Sequence, residues 1–199
     1  MNEKTIKGSR VTTLWFVMLA LFTALSVVAT LLIRIPYGLG YINFGDAVVM
    51  IAAVVLGPAG GAVAGGLGPA IADAVSGYVI YAPFTAVVKA VEGFLCGLMY
   101  TKLFKNRASW VRCLVAFLTV TVWVTLGYAL TDFLLVLFGA DGFEAYGLWA
   151  ALAAGAVTMP GTLVQMAVSA AVAMIVSPKL PTLARDKLFR PSDGEEPRT

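Results

Sequence analysis

Five charged residues stand within long apolar stretches of this 199-residue sequence: Asp46, Asp73, Lys89, Glu92 and Asp132. A charged side chain at the centre of a membrane span costs about 2.5–3.5 kcal/mol by insertion scales, so it normally faces a partner or a wet cavity. The five residues therefore predict either ion pairs between helices or a site that binds a polar small molecule.

Polar side chains recur every three or four residues on each of three predicted helices. Residues at this spacing share one helix face. Three such faces turned inwards would line one cavity, with its ionisable groups in the outer half of the membrane. The three sets are Thr85, Lys89, Glu92 and Cys96; Thr121, Thr125, Tyr128 and Asp132; and Thr158, Thr162, Gln165 and Ser169.

Most of these residues also have a structural interpretation. Lys89 and Glu92 are three residues apart, and we favour an ion pair that holds helices together, with Asp73 facing them from the preceding helix. Individual hydroxyl groups could bond to their own helix backbone. Asp46 could simply be the N-cap of the second helix, where its charge suits the helix dipole.

Two polar residues, Asp132 and Gln165, have no same-helix partner at a favourable spacing. A ligand or interhelical role is therefore favoured for both. Aromatic residues cluster in the predicted outer loops, where they could form an interfacial belt or stack on a flat ligand. They are Tyr37, Tyr41, Tyr78, Tyr81, Tyr146 and Trp149.

The composition requires a membrane around these side chains, because 60% of the residues are hydrophobic and 13% are charged. Soluble domains carry about 25% charged residues, and a membrane helix needs roughly 20 apolar residues. We predict an all-α integral membrane protein with six transmembrane helices in a domain over residues 11–176. The predicted helices cover about 11–33, 46–57, 58–75, 83–103, 111–138 and 147–176.

Residues 1–10 and 177–199 are predicted to form cytoplasmic tails. With both termini in the cytoplasm, twelve basic residues lie inside and only Arg34 lies in an outer loop, which agrees with the positive-inside rule. The first apolar stretch is about 23 residues long and has no A-x-A cleavage site, so it is a retained helix rather than a signal peptide.

Several function classes are excluded by what the sequence lacks. It has no histidine, which removes histidine-based acid–base catalysis and most zinc sites. It has no GxxxxGK[ST] motif, so any ATP must be bound by another polypeptide. Cys96 and Cys113 have no CxxC spacing and are interpreted as small apolar fillers. We expect no enzymatic activity, no cofactor and no metal.

Short motifs between residues 41 and 100 form a specific series. They are Ile42-Asn43-Phe44-Gly45-Asp46, Leu56-Gly57-Pro58 before Gly61 and Gly65, Ala72-Asp73 with Ser76-Gly77-Tyr78, Ala82-Pro83-Phe84-Thr85, and Lys89 followed by Glu92-Gly93. In order and spacing this series resembles the substrate-binding S components of energy-coupling factor (ECF) vitamin transporters, particularly the riboflavin-type group.

The resemblance implies a six-helix binding subunit of the bacterial cell membrane, with both ends cytoplasmic. It implies capture of a vitamin or precursor outside, for uptake driven by a membrane coupling (T) subunit and two cytoplasmic ATPases. Riboflavin is the favoured ligand, and pyridoxine or a hydroxymethylpyrimidine are close competitors. The resemblance also implies that Ala20 and Ala24 on helix 1 face the coupling subunit, although packing within the bundle would explain them equally well.

The pocket implied by the resemblance lies between the first loop and the outer halves of helices 4 to 6, in agreement with the polar faces. The site choices on helices 5 and 6 rest on periodicity. The candidate ligand-binding residues are Asn43, Asp46, Tyr81, Thr85, Lys89, Glu92, Thr125, Tyr128, Asp132, Thr158, Thr162 and Gln165.

Two other functions are weighed against substrate capture. A stand-alone secondary transporter could move protons through Asp73, Glu92 or Asp132, but the sequence shows no inverted repeat. A membrane enzyme is disfavoured by the lack of histidine and of clustered carboxylates.

Overall fold

The computed structural model describes residues 3–32, 34–37, 39–139 and 147–180, with side-chain environments from Thr13 onwards. Within these ranges the chain forms long helices and one short β-hairpin. The elements are α1 (Glu3–Leu32), β1 (Ile35–Tyr37), β2 (Gly40–Ile42), α2 (Gly45–Val75), α3 (Ala82–Leu98), a π-helical turn (Met99–Leu103) that continues α3, α4 (Ser109–Phe138) and α5 (Leu148–Val176).

The distribution of polar and apolar side chains is that of a membrane protein. Five helices of the described chain are long and apolar enough to cross a membrane. Large apolar side chains cover the outside, with Trp149 exposed by 82% and Leu32 by 76%, whereas Lys89 is exposed by 1% and Glu92 is fully buried. The prediction of an all-α membrane protein is confirmed.

Helix α2 reverses direction at Gly57, whose φ of 78° and ψ of −172° lie outside the helical region and suit glycine best. A methyl group on Gly61 would lie 2.7 Å from Ala53 Cβ, and one on Gly65 would lie 2.9 Å from Val49 Cγ1. In a straight helix, residues eight apart would be separated by about 12 Å and residues sixteen apart by about 24 Å, so the two halves of α2 lie side by side. The sequence predicted two separate helices here, and the structure joins them in one interrupted element.

The other boundaries differ from the predicted ones mainly at the ends. Helix α1 already begins at Glu3, inside the segment expected to be a tail, while α4 and α5 begin within two residues of their predicted starts. The segment after α1 was predicted as an outer loop. It forms an antiparallel hairpin in which Ile35 pairs with Ile42. Residues 181–199 of the predicted C-terminal tail lie outside the described ranges.

Glycines allow α2 and α3 to approach each other closely. A methyl group on Gly93 would overlap the carbonyl group of Gly61, and one on Gly97 would lie 2.6 Å from the backbone nitrogen of Pro58. Small residues at such crossings are typical of helix contacts in membranes, where close van der Waals packing drives association. This contact fixes the position of Lys89 and Glu92 on α3 relative to α2.

We expect Gly93→Val to destabilise the protein strongly, because the new side chain meets a backbone group of α2 that cannot rotate away. Overpacking of this kind costs about 1–3 kcal/mol or more. The measurement is thermal unfolding in detergent, followed by size-exclusion chromatography. Gly40→Ala is the control, since a methyl group there has nothing within 4 Å; equal melting temperatures for the two variants would refute the close packing.

Candidate functional site

A cavity opens between the β-hairpin and helices α2 to α5. Its volume is about 560 Å³ when the space at its open mouth is included. Five separate segments of the chain supply its wall. The lining residues are Tyr37, Gly40, Tyr41, Ile42, Asn43, Asp73, Tyr78, Tyr81, Thr85, Tyr128, Asp132, Thr158, Gly161, Thr162 and Gln165.

Asp132 joins three helices at one side of the cavity. Tyr81, at the start of α3, donates a hydrogen bond of 2.7 Å from its hydroxyl group to Asp132 Oδ1. The hydroxyl group of Thr158 on α5 donates to Asp132 Oδ2. The carboxylate is exposed by only 1%, so these two donors replace the water that it would otherwise bind.

Asp73, at the end of α2, is the second carboxylate of the cavity lining and accepts a hydrogen bond from the hydroxyl group of Tyr41. The Tyr41 ring lies 4.9 Å from the Tyr78 ring, and Tyr78 lies 6.2 Å from Tyr81, measured between centroids. The guanidinium group of Arg34 lies 5.8 Å from the Tyr41 centroid. The hairpin and the α2–α3 turn therefore form an aromatic wall that connects the two carboxylates.

The two tyrosines that bind the carboxylates remain hydrogen-bond donors. Burial raises the pKa of Tyr41 above its usual range, and the adjacent Asp73 raises it further. Burial likewise raises the pKa of Tyr81, together with the negative charge of Asp132. Both hydroxyl groups therefore stay protonated at physiological pH.

An ionic cluster lies behind the cavity wall. Lys89 Nζ pairs with Asp46 Oδ1 and lies 3.0 Å from Glu92 Oε2, and the three side chains are exposed by 1% or less. Lys89 Nζ also lies 5.3 Å from the centroid of the Tyr128 ring. The ion pair between Lys89 and Glu92 that the sequence favoured is present. The sequence analysis expected Asp73 to face this pair, but the third charged residue of the cluster is Asp46.

Asp46 is not the N-cap of α2, since Phe44 occupies that position. Gln165 connects Asp46 to the cavity wall: its Nε2 donates to Asp46 Oδ2 at 2.6 Å. Gln165 Oε1 accepts a 2.8 Å hydrogen bond from the backbone N–H of Asn43. The side-chain amide of Gln165 therefore connects the middle of α5 to the end of the hairpin and to the start of α2.

Eight of the twelve predicted ligand-binding residues line the cavity: Asn43, Tyr81, Thr85, Tyr128, Asp132, Thr158, Thr162 and Gln165. The other four do not. Asp46 on α2 faces Lys89 and Glu92 on α3, and these three residues form the ionic cluster. Thr125 is exposed by 6%, and its hydroxyl group has no hydrogen-bond partner among the described residues.

The structure adds seven lining residues that were not selected as ligand contacts: Tyr37, Gly40, Tyr41, Ile42, Asp73, Tyr78 and Gly161. For the tyrosines, the clustering of aromatic residues in turn-rich segments was a usable signal. Asp73 was recognised as a charge in an apolar span but was assigned to an ion pair. Ile42 was noted only as part of the family motif, and nothing in the sequence marks Gly40 or Gly161.

The predicted docking residues on α1, Ala20 and Ala24, are both exposed. They lie among other exposed apolar side chains of this helix, including Val17 and Leu21 at 57% each. This face of α1 is therefore not covered by the described part of the bundle. Within the same part of the chain, no group of three acidic, thiol or imidazole side chains could hold a metal ion.

The fold and cavity define an α-helical membrane protein with a polar-lined cavity between its helices. The chain belongs to the family of ECF-type riboflavin transporter S components, whose family model matches residues 10–181. S components are subunits of transporters, and the family is not one of enzymes.

A solved structure and a further protein sequence are also similar to this chain. The fold is similar to a solved structure described as "Structure and mechanism of the S component of a bacterial ECF transporter", with a TM-score of 0.62 over 86% of this chain and 97% of the other. The sequence identity is 14%, so this likeness concerns the fold alone. An "Uncharacterized protein in gap 3'region" of Pyrococcus woesei is 38% identical over 120 residues, which are 59% of this chain and 76% of the relative.

Proposed function

We propose that this chain is the substrate-binding subunit of an ECF-type importer. It captures a vitamin or vitamin precursor from outside the cell for ATP-driven uptake powered by partner subunits. The observation that carries this proposal is the cavity itself, in which polar groups from the hairpin and four helices converge between aromatic rings. Concave sites with an aromatic lining and a few placed polar groups are typical of small-molecule binding.

The topology proposed for this function has six membrane segments, with both termini in the cytoplasm of the bacterial cell. The reversal of α2 at Gly57 supports the count, because it divides the helix into two segments that lie side by side. The twelve basic residues assigned to the inside support the orientation. In this topology the cavity opens outwards, as capture from outside requires.

The proposed partners are a membrane coupling (T) subunit and two cytoplasmic ATPases, which bind the ATP. The exposed face of α1 that includes Ala20 and Ala24 is the proposed contact with the coupling subunit. Two small residues four positions apart allow close helix approach. Riboflavin, pyridoxine and a hydroxymethylpyrimidine are the proposed candidate ligands, with riboflavin favoured by the family resemblance.

Mass spectrometry of small molecules that co-purify with the protein tests this function most directly. We expect a vitamin-like heterocycle, and we expect the purified protein to bind it by calorimetry at nanomolar to low-micromolar concentration. Co-expression with a coupling subunit and its ATPases should be required for uptake into cells. Failure to bind any member of a vitamin panel would contradict substrate capture.

A proton-coupled secondary transporter is the second candidate. The observation that favours it is Glu92, which is fully buried and whose Oε1 has no hydrogen-bond partner among the described residues. Transport by liposomes that contain only this chain, and its collapse with the proton gradient, would establish this alternative. We expect ligand binding without transport in the same liposomes.

A further inference from the structure

The turn between α3 and α4 concentrates positive charge. It carries Lys102, Lys105, Arg107 and Arg112, whereas residues 93–131 include no aspartate and no glutamate. The first three of these basic residues are exposed. Neither of the two ion pairs among the described residues includes any of them. The turn therefore presents three cations to which the described part of the chain supplies no carboxylate.

This turn lies at the end of the bundle opposite the cavity. Thr85 on α3 and Asp132 on α4 both line the cavity. At about 1.5 Å per residue, Lys102 lies about 25 Å along α3 and its continuation from Thr85, and Arg112 lies about 30 Å along α4 from Asp132. The hydrocarbon core of a membrane is about 30 Å thick. The turn is therefore at the other membrane surface, which is the cytoplasmic one in the proposed topology.

Exposed apolar side chains lie beside the cations. Leu103 is exposed by 57% and follows Lys102 directly, and Trp110 is exposed by 62% in the first turn of α4. Tryptophan is typical of the membrane–water interface, and basic side chains there direct their charged ends towards the headgroups. Cations next to apolar groups at the edge of a membrane match an amphiphile with a negative head.

Arg112 holds the turn in one arrangement. Its Nε and Nη2 both donate to the Tyr100 carbonyl, at 2.8 Å and 2.6 Å. Its guanidinium group also lies 4.0 Å from the centroid of the Tyr100 ring. The start of α4 is thus joined to the π-helical turn, and the three exposed cations lie on a short segment fixed at both ends. A surface ordered before binding loses less entropy when it binds.

We propose that the surface formed by Lys102, Lys105, Arg107, Leu103 and Trp110 binds an anionic phospholipid. Its phosphate group contacts the three cations, because lysine and arginine are the side chains that bind phosphate best. Its acyl chains lie against the leucine and the tryptophan. An acidic segment of a soluble protein would match the cations but would leave both apolar side chains uncovered. This surface is separate from the substrate cavity and adds a partner to the proposed function.

Native mass spectrometry of the protein in detergent tests the lipid preference, with phosphatidylglycerol and phosphatidylcholine of identical acyl chains as probes. We expect phosphatidylglycerol to bind at least about tenfold more tightly, since each basic residue near an anionic headgroup strengthens binding about fivefold. This preference should fall as the salt concentration rises. Glycerol 3-phosphate carries the charge without the chains, and we expect it not to bind measurably.

Glutamine substitutions assign the preference to the turn. We expect the combined variant Lys102→Gln, Lys105→Gln and Arg107→Gln to bind the two lipids equally, and Lys105→Gln alone to bind phosphatidylglycerol about fivefold more weakly. The matched control is Arg34→Gln, because Arg34 is an exposed basic residue at the other end of the bundle. It should keep the preference of the wild-type protein.

Tryptophan quenching locates the bound lipid. Trp110 lies in the proposed surface, whereas Trp149 is exposed by 82% at the start of α5, at the cavity end. Their separate fluorescence is obtained by difference from the variants Trp110→Phe and Trp149→Phe. In phosphatidylcholine vesicles with a minor fraction of brominated phosphatidylglycerol, we expect at least twofold stronger quenching of Trp110. Brominated phosphatidylcholine should quench both tryptophans alike.

Several results would overturn the inference. One is equal affinity of the wild-type protein for the two lipids, and another is an equal loss of preference in Arg34→Gln. A combined variant that elutes as the wild type does and keeps the preference is a third; if it does not elute in this way, Lys105→Gln decides on the same criterion. Wild-type lipid binding with lost assembly on the coupling subunit would assign the turn to a protein partner. Substrate capture is unaffected by each of these outcomes.

Discussion

Replacement of Lys89 by methionine is expected to lower the free energy of unfolding by about 3–5 kcal/mol. The substitution keeps most of the unbranched side chain and removes the charge that Asp46 and Glu92 share, so two buried carboxylates lose their cation. For a chain of this length the loss corresponds to a fall in melting temperature on the order of 10 °C. Thermal unfolding in detergent, monitored by the fraction that remains monodisperse, measures the effect.

Two further variants define this experiment. Lys102→Met is the matched control, since Lys102 is exposed and lies on the π-helical continuation of α3, and we expect a change of less than about 0.5 kcal/mol. Adding Glu92→Gln to Lys89→Met removes one of the two uncompensated charges and should recover part of the loss. A melting temperature of Lys89→Met equal to that of the wild type would mean that the cluster is not ionic.

Replacement of Asp132 by alanine is expected to weaken ligand binding by roughly 30-fold or more. The carboxylate accepts hydrogen bonds from Tyr81 and Thr158, and bonds to a charged group contribute about 1.5–3 kcal/mol each. Without it, two hydroxyl groups of the wall lose their acceptor and their fixed orientation. A loss of about 2 kcal/mol corresponds to the stated change in Kd, measured by calorimetry with the co-purified ligand.

Thr131→Ala is the matched control for Asp132→Ala. Thr131 is the preceding residue on α4 and is equally buried, but its hydroxyl group donates only to the Gly127 carbonyl of its own helix. We expect this variant to bind the ligand as the wild-type protein does. Equal losses of affinity in both variants would show that burial on α4, rather than the carboxylate in the cavity, accounts for the effect.

The two substitutions separate two roles that polar residues have in this membrane protein. The ionic cluster connects α2 and α3 behind the cavity, so its loss should reduce stability first. Asp132 lies in the wall, so its loss should reduce affinity first. Gln165 belongs to both groups, because it donates to Asp46 and also lines the cavity.

The sequence determined the features that depend on local pattern. Hydropathy identified the apolar spans, and the periodicity of polar residues identified the inward faces of α3, α4 and α5, because helix geometry converts spacing directly into direction. Gly57 followed by Pro58 marked the interruption of α2. The series of motifs around Asp46, Asp73 and Lys89 indicated the family.

Only the tertiary structure decided which of these polar groups meet. Asp46 and Lys89 are 43 positions apart, and their pairing depends on the rotation and depth of α2 against α3, which the Gly61–Gly93 contact sets. With this placement, Asp73 accepts a hydrogen bond from Tyr41 and lines the cavity, and Lys89 pairs with Asp46 instead. The polar pattern of one helix specifies a direction, but the partner it meets depends on packing between helices distant in sequence.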